Sequence, residues 1–114
     1  MTLWQQLNLT EAERLAIEEV QSQLRRDKNV EQIILFGSVV RGELDEESDI
    51  DLLVIVKNPI NRWQRHQITD KVCEINLKYG TNLSTTVVHK EAWENGPMRL
   101  LPIYKHVRSE GIPL

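Results

Sequence analysis

The stretch that decides the fold and the chemistry reads Phe36-Gly37-Ser38-Val39-Val40-Arg41-Gly42-Glu43 and resumes, four residues later, as Ser48-Asp49-Ile50-Asp51-Leu52-Leu53-Val54. The apolar runs on either side predict two strands, Val30 to Phe36 and Asp49 to Val56. The second run is apolar without interruption, which is typical of a central strand covered on both faces. A glycine–serine turn thus ends the first strand, and a pair of aspartates opens the second.

The aspartate pair indicates a metal site. Strand side chains alternate between faces, so Asp49 and Asp51 are expected on the same side. At ~5 Å and an effective dielectric of ~20, two carboxylates repel by about 3 kcal/mol. A divalent cation between them would remove that cost, and their oxygens suit Mg²⁺. The alternative is a solvated turn, which a lone Asp-x-Asp favours.

The turn before the pair has the features of an anion site. Gly37 lets the backbone turn sharply and approach a ligand without a Cβ atom in the way. Ser38 offers a hydroxyl, and the amides after it are suited to anions. A metal pair beside a phosphate cradle is what phosphoryl and nucleotidyl transfer require, because that chemistry depends on positioning and charge neutralisation.

Charge is distributed unevenly. Six of the seventeen acids and no base lie between Glu43 and Asp51, so the rest of the chain is mildly basic, with fourteen bases against eleven acids. Arg41 has a planar fork suited to phosphate oxygens. Its alternative is a structural ion pair with a neighbouring acid, namely Glu43, Asp45 or Glu47. No basic stripe typical of nucleic-acid binding is evident, so nucleic acid is not an expected partner.

The remaining elements predict one α/β or α+β domain over residues 1–114. Thr10 with Glu13 is a capping box opening a helix to about Asp27, and Asn61 opens another to about Tyr79. The further elements are a strand from Asn82 to Val88, a helical turn at Lys90 to Glu94, and a helix from Pro102 that stops before Gly111. The order α-β-β-α-β-α predicts a small mixed sheet flanked by helices, whose strand order cannot be read from the pattern.

Composition excludes several classes of protein. The chain has 114 residues, of which 40% are hydrophobic and 27% charged, as in an ordinary globular protein. Its single cysteine, Cys73, excludes an internal disulfide and a CxxC site, and its place in a helix predicts a small core residue. No apolar stretch is long enough to cross a membrane and no secretory signal is recognisable, so we expect a cytoplasmic protein.

The combined motif resembles a known family. Gly37-Ser38, ten intervening residues, and Asp49-Ile50-Asp51 look like the G-S-x(n)-D-x-D signature of the DNA polymerase beta-type nucleotidyltransferase superfamily. The fuller strings over residues 37–43 and 48–54 are similar to the minimal nucleotidyltransferases. The resemblance implies a fold like the palm of DNA polymerase beta, and an active site at the edge formed by the turn and the aspartates.

The resemblance also implies an activity. Members transfer a nucleoside monophosphate from an NTP, commonly ATP, to a hydroxyl and release pyrophosphate. By this match Gly37, Ser38 and Arg41 bind the nucleotide, while Asp49 and Asp51 are the catalytic residues and hold one or two Mg²⁺ ions. Minimal members frequently pair with a HEPN-domain toxin, act as its antitoxin, and some attach AMP to a tyrosine of that partner; homo- or hetero-oligomers are both compatible with the pattern.

One departure from the family pattern bears on catalysis. Active members usually add a third carboxylate from a later strand, but the strand Asn82 to Val88 contains no acid. Ser84 or Thr86 is expected at that place, and a neutral hydroxyl is a poor general base. The alternative function is therefore a catalytically weak or inactive nucleotide-binding module that neutralises its partner by forming a complex.

Overall fold

A computed structural model describes residues 3–43 and 49–114. Within these ranges the chain forms five α-helices and four strands, with short 3-10 turns at Leu3–Gln6 and Pro97–Leu100. In chain order the elements are α1 (Glu11–Leu24), β1 (Val30–Phe36), α2 (Ser38–Arg41), β2 (Ile50–Val56), α3 (Arg62–Tyr79), β3 (Leu83–His89), α4 (Lys90–Asn95), α5 (Pro102–Glu110) and β4 (Ile112–Pro113).

The strands form one mixed sheet in the order β3-β2-β1-β4. β1 pairs antiparallel with both β2 and β4, whereas β2 and β3 are parallel and are joined through α3. β2 is central and is buried at six of its seven positions, as its continuous apolar run predicts. The predicted mixed sheet with flanking helices is confirmed, and the strand order is new information.

Helices cover the two faces of the sheet with separate cores. The larger core joins α1 and α3 to one face and includes Ile17, Leu52 and Ile75, each at most 2% exposed. The smaller core lies on the opposite face and joins α4 and α5 to it through side chains such as Leu53 and Trp93. Because side chains alternate along β2, Asp51 shares the face of Leu53 and therefore points to the side of α4 and α5.

Both predicted capping boxes are present. The Thr10 hydroxyl accepts from the N–H of Glu13, whose carboxylate accepts from the Thr10 N–H, and Asn61 and Gln64 repeat the arrangement at α3. α1 ends at Leu24, three residues before the predicted end, because Arg25 is its C-cap and the chain turns there. α3 ends at Tyr79, where Gly80 adopts a left-handed conformation with φ +69°.

The outer edge of β3 is covered by side chains from α3. The Asn76 amide donates to the Leu83 carbonyl at 3.0 Å, and its oxygen accepts from the Leu83 N–H at 2.9 Å. Arg65 donates to the carbonyl of Val87 at 2.6 Å. These contacts occupy backbone groups that would otherwise invite pairing with another strand.

One residue on the outward face of α3 differs from its predicted position. Cys73, expected in the core, is exposed, because it lies one position after the buried Val72 and is therefore rotated by about 100° away from the sheet. Trp63 is also on the surface, with 69% of its area exposed. No helix within residues 3–43 and 49–114 is long and apolar enough to span a membrane.

Candidate functional site

The glycine turn lies directly against the aspartate strand. β1 ends at Phe36, Gly37 follows with φ +88°, and α2 begins at Ser38. In the β1–β2 ladder Phe36 pairs with Asp51, so the turn and this carboxylate are neighbours. A Cβ atom on Gly37 would overlap Oδ2 of Asp51 and lie 3.3 Å from its Cγ. Glycine is therefore favoured here by its backbone conformation, and a side chain at this position would displace the Asp51 carboxylate.

The two aspartates sit at the start of β2 in different environments. Asp51 is half-buried within the strand, whereas Asp49 is exposed and precedes it, since β2 begins at Ile50 rather than at the predicted Asp49. Oδ1 of Asp49 accepts a hydrogen bond from the side-chain amide of Asn82, the residue before β3. Burial and, secondly, the charge of Asp49 raise the pKa of Asp51 above its ordinary value of 3.8. The two carboxylates are thus close enough to repel one another.

Arg41 is held by acids at the end of α2. Its Nε donates to Oε2 of Glu43 at 3.0 Å, and its Nη1 donates to Oε2 of Glu110 at 2.9 Å. These hydrogen bonds, that of Glu43 first, raise the pKa of the guanidinium. The ion pair with Glu43, given above as the alternative, is therefore present, and the phosphate-binding role of Arg41 stays a prediction. Asp45, Glu47 and Ser48 lie outside the described residues.

Glu110 connects the C-terminal helix to the turn. Its Oε2 also accepts from the backbone N–H of Gly37 at 3.2 Å, and its Oε1 lies 3.2 Å from Nδ1 of His106. Only 13% of the side chain is exposed. After Asp49, the charge of Glu110 is a further factor raising the pKa of Asp51, which Arg41 opposes.

The balance of charge favours a cation at this edge. Within the described residues, four carboxylates interact with one another or with the single guanidinium of Arg41: those of Glu43, Asp49, Asp51 and Glu110. A phosphate group would be repelled unless a cation accompanied it. No group of three His, Cys, Asp or Glu side chains able to hold a metal occurs in the described part of the chain. Two carboxylates suffice for Mg²⁺, which keeps waters and substrate phosphates as its other ligands.

The neighbouring strand supplies hydroxyls instead of a third acid. In the parallel β2–β3 pair Ser84 lies beside Asp51, and Thr86 lies beside Leu53. Ser84 is exposed, so its hydroxyl is accessible next to the carboxylate. Of the two residues expected at this place, Ser84 is the one that adjoins Asp51.

Two residues of this site carry no local signal in the sequence. Glu110 is 73 positions from Gly37, and Asn82 is 33 positions from Asp49. Each looks locally like a helix end or a loop residue. The pairing of β2 and β3 brings Asn82 to Asp49, and the position of α5 brings Glu110 to Gly37. Knowledge of the strand order would have found Asn82, because β3 begins beside β2.

Relatives of known sequence share this part of the chain. The family described as "Polymerase beta, Nucleotidyltransferase" matches residues 18–94. The chain is 52% identical over 58 residues to "Putative protein adenylyltransferase MJ1305" of Methanocaldococcus jannaschii, a match covering 49% of this chain and 40% of that protein. It is 36% identical over 69 residues to "Putative protein adenylyltransferase MJ0141" of the same organism, covering 60% and 69%. The chain thus spans well under half the length of the first relative.

Solved structures share the fold. The "Structure of putative minimal nucleotidyltransferase" superposes with a TM-score of 0.60 and 27% identity, covering 92% of this chain and 97% of that one. A toxin–antitoxin crystal structure with AMP-PNP gives a TM-score of 0.55 at 21% identity, covering 84% and 70%, and shows likeness of fold. The family match spans more than half of the chain and includes the glycine turn and both aspartates. This chain is therefore a member of the polymerase beta nucleotidyltransferase family.

Proposed function

We propose that this protein transfers AMP from Mg²⁺-bound ATP to a hydroxyl group of a partner protein, in the cytoplasm. The observation that carries the proposal is the apposition of Gly37 and Asp51, in which the turn has no room for a side chain against the carboxylate. Family membership supports nucleotidyl transfer as the reaction class. The protein adenylyltransferase names of the two archaeal relatives support AMP as the transferred group and a protein as the acceptor.

The glycine turn and the two aspartates would have separate roles in binding the nucleotide. Gly37 and Ser38 would contact the triphosphate, and Asp49 and Asp51 would hold one or two Mg²⁺ ions. The bound Mg²⁺ would neutralise charge on the phosphate oxygens. The acceptor oxygen would then bond to the α-phosphorus as the bond to the leaving pyrophosphate breaks. The hydroxyl proton would pass to a carboxylate oxygen of Asp49 or Asp51.

A partner protein would supply the acceptor. The shared fold with a toxin–antitoxin protein supports a toxin as that partner, and the family pattern points to a tyrosine of a HEPN-domain toxin. In this proposal the chain is the antitoxin, and modification of the toxin silences it.

The test uses α-labelled ATP, Mg²⁺ and the product of the neighbouring gene. Label should appear on the partner, and it should fall at least about a hundredfold with Asp49→Asn or Asp51→Asn, since both carboxylates hold the metal. Asp70→Asn is the matched control, because Asp70 is an exposed aspartate on α3, and this variant should label normally. Equal labelling by all four proteins would contradict the proposal.

The lack of an acid beside Asp51 on β3 favours a second function. Because Ser84 and not an acid lies beside Asp51, catalysis lacks the third carboxylate, and the chain would neutralise its partner by binding alone. A tight complex that forms without label, and is unaffected by Asp51→Asn, would support this second function. Label that depends on Asp51 would exclude it.

A further inference from the structure

The carboxylate of Glu110 accepts hydrogen bonds from residues at both ends of the short helix α2. Its Oε2 accepts from the N–H of Gly37, the residue that caps the start of α2. The same carboxylate accepts from Nη1 of Arg41, the last residue of α2, at 2.9 and 3.0 Å. A side chain from α5 therefore joins both ends of the segment that carries Ser38, and Val39 of that segment is buried in the larger core.

The hydrogen bonds of Glu110 restrict the movement of α2. The Glu110 side chain is 13% exposed and that of Arg41 39%, and hydrogen bonds between charged groups are stronger than those between neutral ones. α2 is only one turn long and has a glycine with positive φ at each end, Gly37 at φ +88° and Gly42 at φ +75°. Such a segment has little internal order of its own, because an isolated turn of helix is unfavourable.

The contacts argue against two other roles for Glu110. As a metal ligand it would need free oxygens near the aspartates, but both oxygens are taken up by Arg41, with Gly37 and His106 as further partners. If the Glu110 carboxylate occupied the place of a nucleotide phosphate in the ligand-free protein, it would have to leave the turn when the nucleotide binds. Its low exposure and its place within the last turn of α5 oppose that movement.

We propose that Glu110 is a positioning residue of the nucleotide site, which holds Gly37 and Arg41 so that Ser38 and the turn face the aspartates in the geometry that receives the triphosphate. This inference rests on the proposed function, since it concerns the same site. It makes α5 a part of that site, although α5 brings no catalytic residue to it.

The test compares the full chain with Glu110→Gln, Glu110→Ala and Glu74→Gln. Glu74 is an exposed acid on α3, so Glu74→Gln controls for the loss of one negative charge. Without ligand, the Gly37 amide should exchange its hydrogen about tenfold faster in Glu110→Ala, while the amides of β2 keep their protection. With Mg²⁺ and a nonhydrolysable ATP analogue, both Glu110 variants should bind about tenfold more weakly than wild type and Glu74→Gln.

The outcomes separate this inference from the proposed function. If wild type and Glu110→Gln bind the analogue equally, or Glu110→Gln binds it more tightly, the positioning role is overturned while nucleotide binding stands. If β2 amides lose protection together with Gly37, Glu110 serves the fold as a whole and the inference fails. If wild type itself does not bind, the proposed function and this inference fall together.

Discussion

At the scale of the residue, the candidate site places a backbone conformation open to glycine beside a carboxylate whose charge is disfavoured. Gly37 adopts φ +88° and Asp51 is a half-buried carboxylate whose pKa is raised by burial and by Asp49. Glycine adopts its conformation without strain, whereas the charge on Asp51 is disfavoured, and a cation joining the two acids would offset that cost. A half-buried carboxylate with a raised pKa is typical of functional sites.

Replacing Asp51 by asparagine should stabilise the ligand-free protein while removing the proposed transfer of AMP. Because the folded-state pKa is raised above the ordinary 3.8, the folded protein holds that proton longer and stability is lost as the pH rises through the raised pKa. The midpoint of thermal unfolding of Asp51→Asn should therefore exceed that of wild type at pH 7 by a few degrees, and the gain should vanish below pH 3.8. A lower midpoint at pH 7 would show that Asp51 instead supports the fold.

Replacing Gly37 by alanine should destabilise the fold more than the same change at Gly42, because its φ of +88° and ψ of −155° suit glycine alone and a Cβ atom would meet Asp51. Gly42→Ala is the comparison, because Gly42 lies in the left-handed region, which alanine enters at moderate cost, and has no atom within 4 Å of the position that a Cβ would take. We expect about 1 kcal/mol of lost unfolding free energy for Gly42→Ala and at least about 2 kcal/mol for Gly37→Ala, by urea titration. Equal losses would contradict the extra cost assigned to the backbone and the Asp51 contact at Gly37.

At the scale of the element, β3 depends on α3 for its outer edge. Asn76 satisfies both the N–H and the carbonyl of Leu83, and its oxygen also accepts from the Thr81 hydroxyl at 3.0 Å. This holds the start of β3 beside the start of β2. The position of Asn82, and through it of Asp49, is therefore tied to a helix that contributes no side chain to the site.

Replacing Asn76 by alanine should lower the free energy of unfolding by about 1–3 kcal/mol, because partly buried backbone groups lose their hydrogen bonds. Urea titration of Lys71→Ala, an exposed position on the same helix, should show a change within about 0.5 kcal/mol of wild type. A similar small change for Asn76→Ala would mean that water replaces the amide at the edge of β3.

Local signals predicted most of the elements. The caps at Thr10 and Asn61 are confirmed, and so are three strands within one residue of their ends, because hydrogen-bonding side chains and apolar runs act over a few positions. α2 was not predicted, since its four residues carry no period of their own. Strand order and the Glu110 contact depend on pairings between distant segments, which no local pattern encodes.

At the scale of the whole molecule, the negative charge of the candidate site should make the binding of ATP depend on Mg²⁺. Carboxylates outnumber the guanidinium of Arg41 at the described part of the site, so ATP alone adds repulsion there. Mg²⁺ and ATP are therefore expected to bind as a pair. Either component alone should bind weakly.

Thermal unfolding should report this coupling. Mg²⁺ together with a nonhydrolysable ATP analogue should raise the midpoint of unfolding by several degrees, since a ligand at a hundred times its Kd stabilises by about 2.7 kcal/mol. Mg²⁺ alone and the analogue alone are the controls and should give smaller shifts. A midpoint that stays unchanged at millimolar concentrations of both would contradict nucleotide binding.

The two-sided packing of the sheet has a consequence for how this chain can change over time or in the laboratory. Gly37, Asp51 and Glu110 meet at the side of α4 and α5, whereas the larger core lies under α1 and α3. Val39, next to Ser38, and Ile50, between the two aspartates, also belong to that larger core. Selection for durability can therefore act beneath α1 and α3 with little effect on the candidate site, whereas a change at Val39 or Ile50 would alter both.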